Sequence, residues 1–407
     1  MRESGEVKIG QMTLEQLRDQ FPVSEEWIFL DHASISSQPR RAVEAMNAWN
    51  ERRSREAFTD ARKLEGWTDI VERTRDKMSR LIGASSQEIA FTGGTAHGID
   101  IVANGLGLRA GDRVILNSLE HPANIGQWIN MARSEGIEVD VVQARDDGCL
   151  YVEDFQAAMT SRTRVLALGS VCSYNGFRMQ MEELSGICHQ RGIRVLVDAI
   201  QEVGAMRVDV KKSGIDFLAG GTYKWLLSPH GHGYLYVSED AMEDVAPTQM
   251  WWDRADPAGG RGWGSFVYPN EFTVDSETPY AYAEGAKRFE VGCIDWSPLL
   301  GLEACLDLLF ELGPENVERR ILSLGDFLIE GFDEMGVTVR SPRQPGARSG
   351  IVSIEESDPD AMVSFCEERR IRVAPRGGGV RIAPHVYNTK DELARVLETV
   401  AAYREGQ

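Results

Sequence analysis

Short apolar runs alternate with helix-length segments through residues 113–237, and this pattern constrains the fold more than any other feature. Its sharpest member is Arg194-Val-Leu-Val-Asp198, where three successive apolar side chains leave no polar face. Such a strand is buried on both sides, as in a parallel sheet covered by helices. Residues 113–117, 138–142, 164–168, 215–219 and 233–237 read as further strands of this kind. Residues 123–135, 152–159 and 181–191 read as helices, and Gly136 and Gly192 close two of them. The alternation predicts an α/β fold with a doubly wound, mostly parallel sheet.

The pattern changes beyond residue 237. The glycine-rich stretch 255–267 reads as a long loop, and residues 298–311 and 316–335 as long helices. Short strands are expected at 337–340, 350–354 and 380–382. A last helix is expected at 390–403, capped by Asn388 or Thr389. These elements suggest a smaller α+β domain. The expected division is a large domain over residues 28–270 and a small one over 271–407. The segment 1–27, with a helix near 13–19, is expected to pack against the small domain.

Composition excludes some functions. With 44 Lys and Arg against 63 Asp and Glu, the formal charge is −19. An acidic surface disfavours nucleic acid and anionic membranes. No apolar run approaches the roughly 20 residues of a membrane span, and the polar N-terminus lacks a signal-peptide core. The six cysteines form no CxxC pair, so a metal ribbon or disulfide framework is not expected and a reducing cytoplasm is.

Chemistry-bearing residues fall where such a sheet gathers ligands, at the carboxyl ends of its strands. Asp198 ends the apolar strand, with Gln201 just after it. A carboxylate there needs a positive partner, which a cationic ring nitrogen would supply; a helix-capping Asp is the alternative. Lys224 follows the turn Gly220-Gly-Thr-Tyr and precedes an apolar Trp-Leu-Leu run. Partial burial favours its neutral, nucleophilic form; a surface lysine is the alternative. Gly93-Gly-Thr95 after a strand can cradle a phosphate at a helix start, although it does not match GxGxxG. His121 follows another strand and can stack on an aromatic ring, or simply begin a helix. Arg381 lies in an apolar strand after three glycines. It suits a carboxylate ligand or an internal salt bridge.

Taken in order, these residues resemble the class V aminotransferase family of fold-type I enzymes dependent on pyridoxal 5'-phosphate (PLP). The family includes cysteine desulfurases, isopenicillin-N-epimerase-like proteins and hercynylcysteine sulfoxide lyases. The resemblance runs from Ile28-Phe-Leu-Asp-His-Ala33 to Pro384-His-Val-Tyr-Asn-Thr389. It implies that Lys224 is the Schiff-base lysine, that Asp198 pairs with the pyridine nitrogen and that Gln201 partners the phenolic oxygen. By the same resemblance His121 stacks on the ring, and Thr95, Ala96, Thr222 and Tyr223 bind phosphate. Arg381 holds the substrate α-carboxylate, with His32, Ala33 and Asn175 also on the substrate side. The family's site implies a homodimer, and Arg288-Phe-Glu-Val-Gly292 resembles the segment that reaches the neighbour's phosphate. Cys293 stands there in place of the usual Thr. Desulfurases carry a persulfide cysteine on the loop that here reads Arg376-Gly-Gly-Gly379.

The expected activity is therefore PLP chemistry on an amino acid, beginning with removal of the Cα proton. A lyase or aminotransferase acting on a bulky or modified amino acid leads, with Trp251, Trp252 and Trp263 as candidate pocket walls. An epimerase is an alternative, and a cysteine desulfurase is disfavoured because the loop has no thiol. A dinucleotide oxidoreductase using Gly93 to Gly98, or a non-catalytic binding relative, are the readings outside PLP enzymes.

Overall fold

The computed structural model describes residues 7–56, 67–249, 255–257, 280–292 and 294–406. Seven strands form the main sheet: β1 (Ile89–Thr92), β2 (Arg113–Asn117), β3 (Glu138–Val142), β4 (Thr163–Gly169), β5 (Arg194–Asp198), β6 (Phe217–Gly221) and β7 (Gly233–Val237). Their order across the sheet is β1-β7-β6-β5-β4-β2-β3. The central strands pair in parallel, as the apolar runs require. Val195, Leu196 and Val197 are fully buried.

β7 departs from the expected parallel set and pairs antiparallel with both β1 and β6. The connection from Gly221 to Gly233 carries no helix, and a parallel return needs a crossover of about a dozen residues or more. Two close approaches hold this edge. A Cβ on Gly233 would stand 2.5 Å from the Cα of Gly94, and one on Gly98 would stand 2.9 Å from Ala219 Cβ. These glycines bring β1 and its following helix, α1 (Thr95–Gly105), down onto the sheet.

A second sheet joins β8 (Val352–Glu355), β9 (Ala374–Arg376) and β10 (Gly379–Ile382) in the order β8-β10-β9, all antiparallel. The expected strand at 337–340 is only an isolated bridge between Val339 and Ile354. Residues 338–340 still run beside β8, with the Glu355 N–H donating to the Thr338 carbonyl at 2.9 Å and the Arg340 N–H to the Ser353 carbonyl at 2.8 Å. The long helices Trp296–Leu312 and Pro314–Glu334 form as expected. The last helix, Lys390–Glu405, begins with a reciprocal capping box between Thr389 and Glu392, worth about 1 kcal/mol. Within the expected loop 255–267, Ala255–Pro257 pairs with Tyr280–Tyr282; the rest lies outside the described residues.

The N-terminal helix Leu14–Asp19 is tied to the C-terminal region. Arg18 bonds the Tyr387 carbonyl at 3.0 Å and Glu392 at 2.8 Å, and Phe21 stacks on Tyr387 at 4.1 Å. Among the described residues no helix is long and apolar enough to cross a membrane.

Candidate active site

β5 and β6 end side by side and deliver the two central groups. Asp198, 5% exposed, closes β5 beside Gly169 and Ala219. Beyond β6 the chain makes a crowded turn. A Cβ on Gly220 would meet the Tyr234 hydroxyl at 2.3 Å, and one on Gly221 would meet Ile200 and Tyr223 at 2.9 Å. Only glycine fits at either place. Leu227 then adopts a left-handed φ of 60°, and its N–H donates to the Lys224 carbonyl at 2.9 Å. That conformation costs a non-glycine residue about 1–2 kcal/mol. It turns the chain back so that Lys224, 7% exposed, lines the cavity that Asp198 also lines.

Electrostatics follow from burial. Burial lowers the Lys224 amine to about 8; the Asp198 carboxylate opposes the shift, and Arg381 and Arg376 add to it. Burial also pushes the Asp198 carboxyl above its ordinary value, against the Ile200 N–H at 3.0 Å and the charge of Lys224. A neutral amine is the nucleophile toward an aldehyde. The rate of PLP uptake by cofactor-free protein is therefore expected to rise about tenfold per pH unit up to about pH 8 and then level off. Stopped-flow absorbance measures it, and a flat profile from about pH 6 to about pH 9 would exclude Lys224 as the reacting group.

Thr95 begins α1 after Gly94, whose φ is 144° and on which an added Cβ would meet no atom within 4 Å. The Thr95 hydroxyl is buried and has no hydrogen-bond partner among the described residues. It lies 3.4 Å from where a Cβ on Gly221 would be, so the two glycine turns face each other. Ala96 follows at the exposed first turn of the helix. Tyr223 sits beside Gly221 and stacks on His230 at 4.4 Å. Thr222 is the exception. Its hydroxyl is fully buried and donates to the carbonyls of His232, at 3.0 Å, and Pro229. It serves the β6–β7 connection, not the cradle.

His121 caps the helix Pro122–Ser134, its Nδ1 accepting from the Ala123 N–H at 3.2 Å. Burial, then the charges of Lys224, Arg376 and Arg381, lower its pKa, which favours the uncharged ring. It lines the same cavity as Lys224. Its neighbour Glu120, which the sequence reading passed over, is buried on that cavity too. The Glu120 carboxyl accepts from Gly169 N–H and Asn124 Nδ2, both at 2.7 Å, and from Asn117. Burial foremost, with the charge of Asp198 adding, raises it to about 7. It ties the His121 turn to the ends of β2 and β4. The signal was an acid between a strand end and a helix start, which sequence alone does not separate from a surface acid.

Arg381 is buried and already paired. Its two terminal nitrogens donate to the Ser173 carbonyl at 2.9 Å, to Asp31 at 3.1 Å and to the Ser34 hydroxyl, while Nε has no partner among the described residues. The internal salt bridge is thus present, and two of the five N–H donors, Nε–H among them, are left over. Gln201 donates to the Ala33 carbonyl at 2.9 Å and accepts from Trp225 Nε1 at 3.0 Å. One amide hydrogen of Gln201 remains for another acceptor.

Two expected substrate contacts are not brought to the cavity. His32 is fully buried, with one ring nitrogen 2.8 Å from the Ala383 carbonyl and the other 2.9 Å from the Tyr387 hydroxyl. Both nitrogens are used, and the ring packs among Phe29, Trp225 and His385. Asn175 donates to the Gly148 carbonyl at 2.7 Å and accepts from the Phe177 N–H at 3.0 Å, holding a local turn. Cys293, Trp251, Trp252 and Trp263 lie outside the described residues.

The residues present fit PLP. An orphaned hydroxyl at a helix N-terminus suits a phosphate. A buried carboxyl suits a ring nitrogen, and a buried, weakly basic lysine suits an aldehyde. A mostly parallel sheet that gathers these groups at its carboxyl edge defines a fold-type I PLP enzyme. The aminotransferase class-V family model matches residues 28–396, and the chain belongs to that family of PLP-dependent enzymes. The dinucleotide reading is thereby set aside.

Relatives agree on the class. The chain is 28% identical to a probable cysteine desulfurase of Methanothermobacter thermautotrophicus, covering 96% of this chain and 98% of that one. It is 27% identical to a probable cysteine desulfurase of Pyrococcus abyssi, covering 97% and 99%. Among solved structures, the apo cysteine desulfurase of Thermococcus onnurineus superposes with a TM-score of 0.85 at 26% identity, covering 97% and 98%. The cystine C–S lyase C-DES, bound to its product cysteine persulfide, superposes with a TM-score of 0.83 at 25% identity, covering 94% and 99%.

Proposed function

We propose that this PLP enzyme is a C–S lyase that eliminates the sulfur substituent from a bulky or modified cysteine. The observation that carries the reading is the hairpin at residues 376–379. Arg376 pairs directly with Gly379, and Gly377 and Gly378 form a two-residue turn with φ of 54° and 76°. That turn is closed and has no thiol. All five described cysteines are buried, and Cys172 alone among them lines the Lys224 cavity. The likeness to the cystine C–S lyase supports the same chemistry.

Bound PLP supplies an electron sink that stabilises negative charge at the substrate α-carbon. In this reading Asp198 would pair with the ring nitrogen, His121 would stack on the ring, and Thr95 with the α1 amides would hold the phosphate. Lys224 would hold the cofactor, and with substrate bound its neutral Nζ would take the Cα proton. The spare Nε–H of Arg381 donates to the α-carboxylate, with Asp31 keeping the guanidinium in place. The Cβ–S bond breaks and the thiolate leaves, and hydrolysis of the remaining three-carbon unit gives pyruvate and ammonia. The same reading makes the chain a cytoplasmic homodimer, with residues 288–292 facing the partner.

A second reading, cysteine desulfurase, is favoured by the names of the relatives. Sulfur transfer to an enzyme thiol leaves alanine, whereas elimination leaves pyruvate. The test incubates the PLP-loaded protein with cystine, S-methylcysteine and cysteine and measures pyruvate and alanine separately. Pyruvate in excess from the S-substituted substrates is expected. Alanine as the main product from cysteine, lost on Cys172→Ser, would overturn the lyase reading in favour of a desulfurase.

A further inference from the structure

Two arginines project from one face of the small sheet, and among the described residues only one has an acidic partner. In the β9–β10 register Ala374 lies opposite Arg381 and Arg376 opposite Gly379. Paired residues, and residues two apart on a strand, share a face. Arg376 and Arg381 therefore stand on the same side, and Arg381 on that side reaches the Ser173 carbonyl beside the cavity. Arg381 is neutralised by Asp31, and Lys224 is countered by Asp198. Arg376 is exposed and has no ion pair or side-chain hydrogen bond among the described residues. Glu355, opposite Gly379 on the next strand, makes no ion pair with it.

The turn that carries Arg376 is held firmly. A Cβ on Gly377 would meet the Tyr174 ring at 3.1 Å, and Arg340 Nη1 donates to the Gly377 carbonyl at 2.5 Å. That places a second guanidinium, again without an acidic partner among the described residues, on the same turn. Arg376 thus shares a sheet face with Arg381, and its positive charge acts at Lys224, His121 and Arg381.

We propose that Arg376 binds a second anionic group, a carboxylate, sulfinate or sulfonate, on the side chain of the amino-acid substrate. This rests on the reading of the cavity as an amino-acid site and names its substrate class. A guanidinium fork matches such an oxyanion bidentately, and the tight hairpin fixes the backbone that carries it. The substrate then carries two anions, one for Arg381 and one for Arg376. A neutral side chain of equal size would leave Arg376 without a partner.

The experiment titrates PLP-loaded protein with size-matched pairs, glutamate against glutamine and aspartate against asparagine, and follows the cofactor absorbance to obtain Kd. In each pair the acid is expected to bind about tenfold more tightly than its amide, an advantage that shrinks as salt is raised. Arg376→Gln is expected to bring the acid to within about threefold of the amide, and Arg376→Lys to retain part of the preference. Equal affinities in the unaltered protein, or a preference that survives Arg376→Gln, would overturn the proposal. If the amides bind and S-substituted cysteines are cleaved while no acid preference exists, only this inference fails. If no amino acid alters the spectrum, the amino-acid reading of the cavity falls with it.

Discussion

Lys224→Ala is expected to abolish the visible absorption band of the PLP-loaded protein and to reduce turnover by about 10²- to 10⁴-fold from lost proton transfer alone. The lysine side chain faces the cavity and its amine has no hydrogen bond among the described residues, so the fold should survive the change. An unaltered near-ultraviolet circular dichroism spectrum would establish that. Borohydride reduction of the unaltered protein, followed by peptide mapping, should place the pyridoxyl group on Lys224. The other candidates are held in ion pairs: Lys211 with Glu88, Lys212 with Glu182 at 3.4 Å, and Lys287 with Glu72 at 2.9 Å. A pyridoxyl group on any of them would refute the assignment.

Asp198→Asn should cost about 10²- to 10³-fold in kcat/KM, because the cofactor loses the charge that keeps its ring nitrogen protonated. The amide keeps the size, and its oxygen can still accept from the Ile200 N–H. Stability should move differently. Burial raises the Asp198 carboxyl in the folded cofactor-free chain, so the folded state binds that proton more tightly than the unfolded one. Stability from this group is therefore lost as pH rises from the ordinary carboxyl value through the raised one. Asparagine carries no such penalty, so the cofactor-free variant should melt no lower than the unaltered protein near neutral pH. Normal turnover in Asp198→Asn would show that the residue only caps the turn after β5. A sharp fall in melting temperature would show a structural role instead.

The sequence by itself determined the strand-Asp198 and turn-Lys224 pair and their placement at the carboxyl edge of a parallel sheet. The reason is local. Three successive apolar residues in a short run followed by Asp198 fit a doubly buried strand, and Gly220 and Gly221 mark a turn that no Cβ can enter. The helix caps were legible for the same reason, as the Thr389 box shows. Partner choice was not legible, because it is decided by residues far apart in the chain. Arg381 meets Asp31 across 350 positions, and His32 meets Tyr387 across 355. Only that folding back converts His32 from an expected substrate contact into a buried strut. Burial decides the rest. It turns the Thr222 hydroxyl toward two carbonyls, lifts Glu120 to about 7 and lowers Lys224 to about 8. The direction of β7 was likewise a tertiary outcome, since an apolar strand reads the same either way and only the helix-free connection from β6 reverses it.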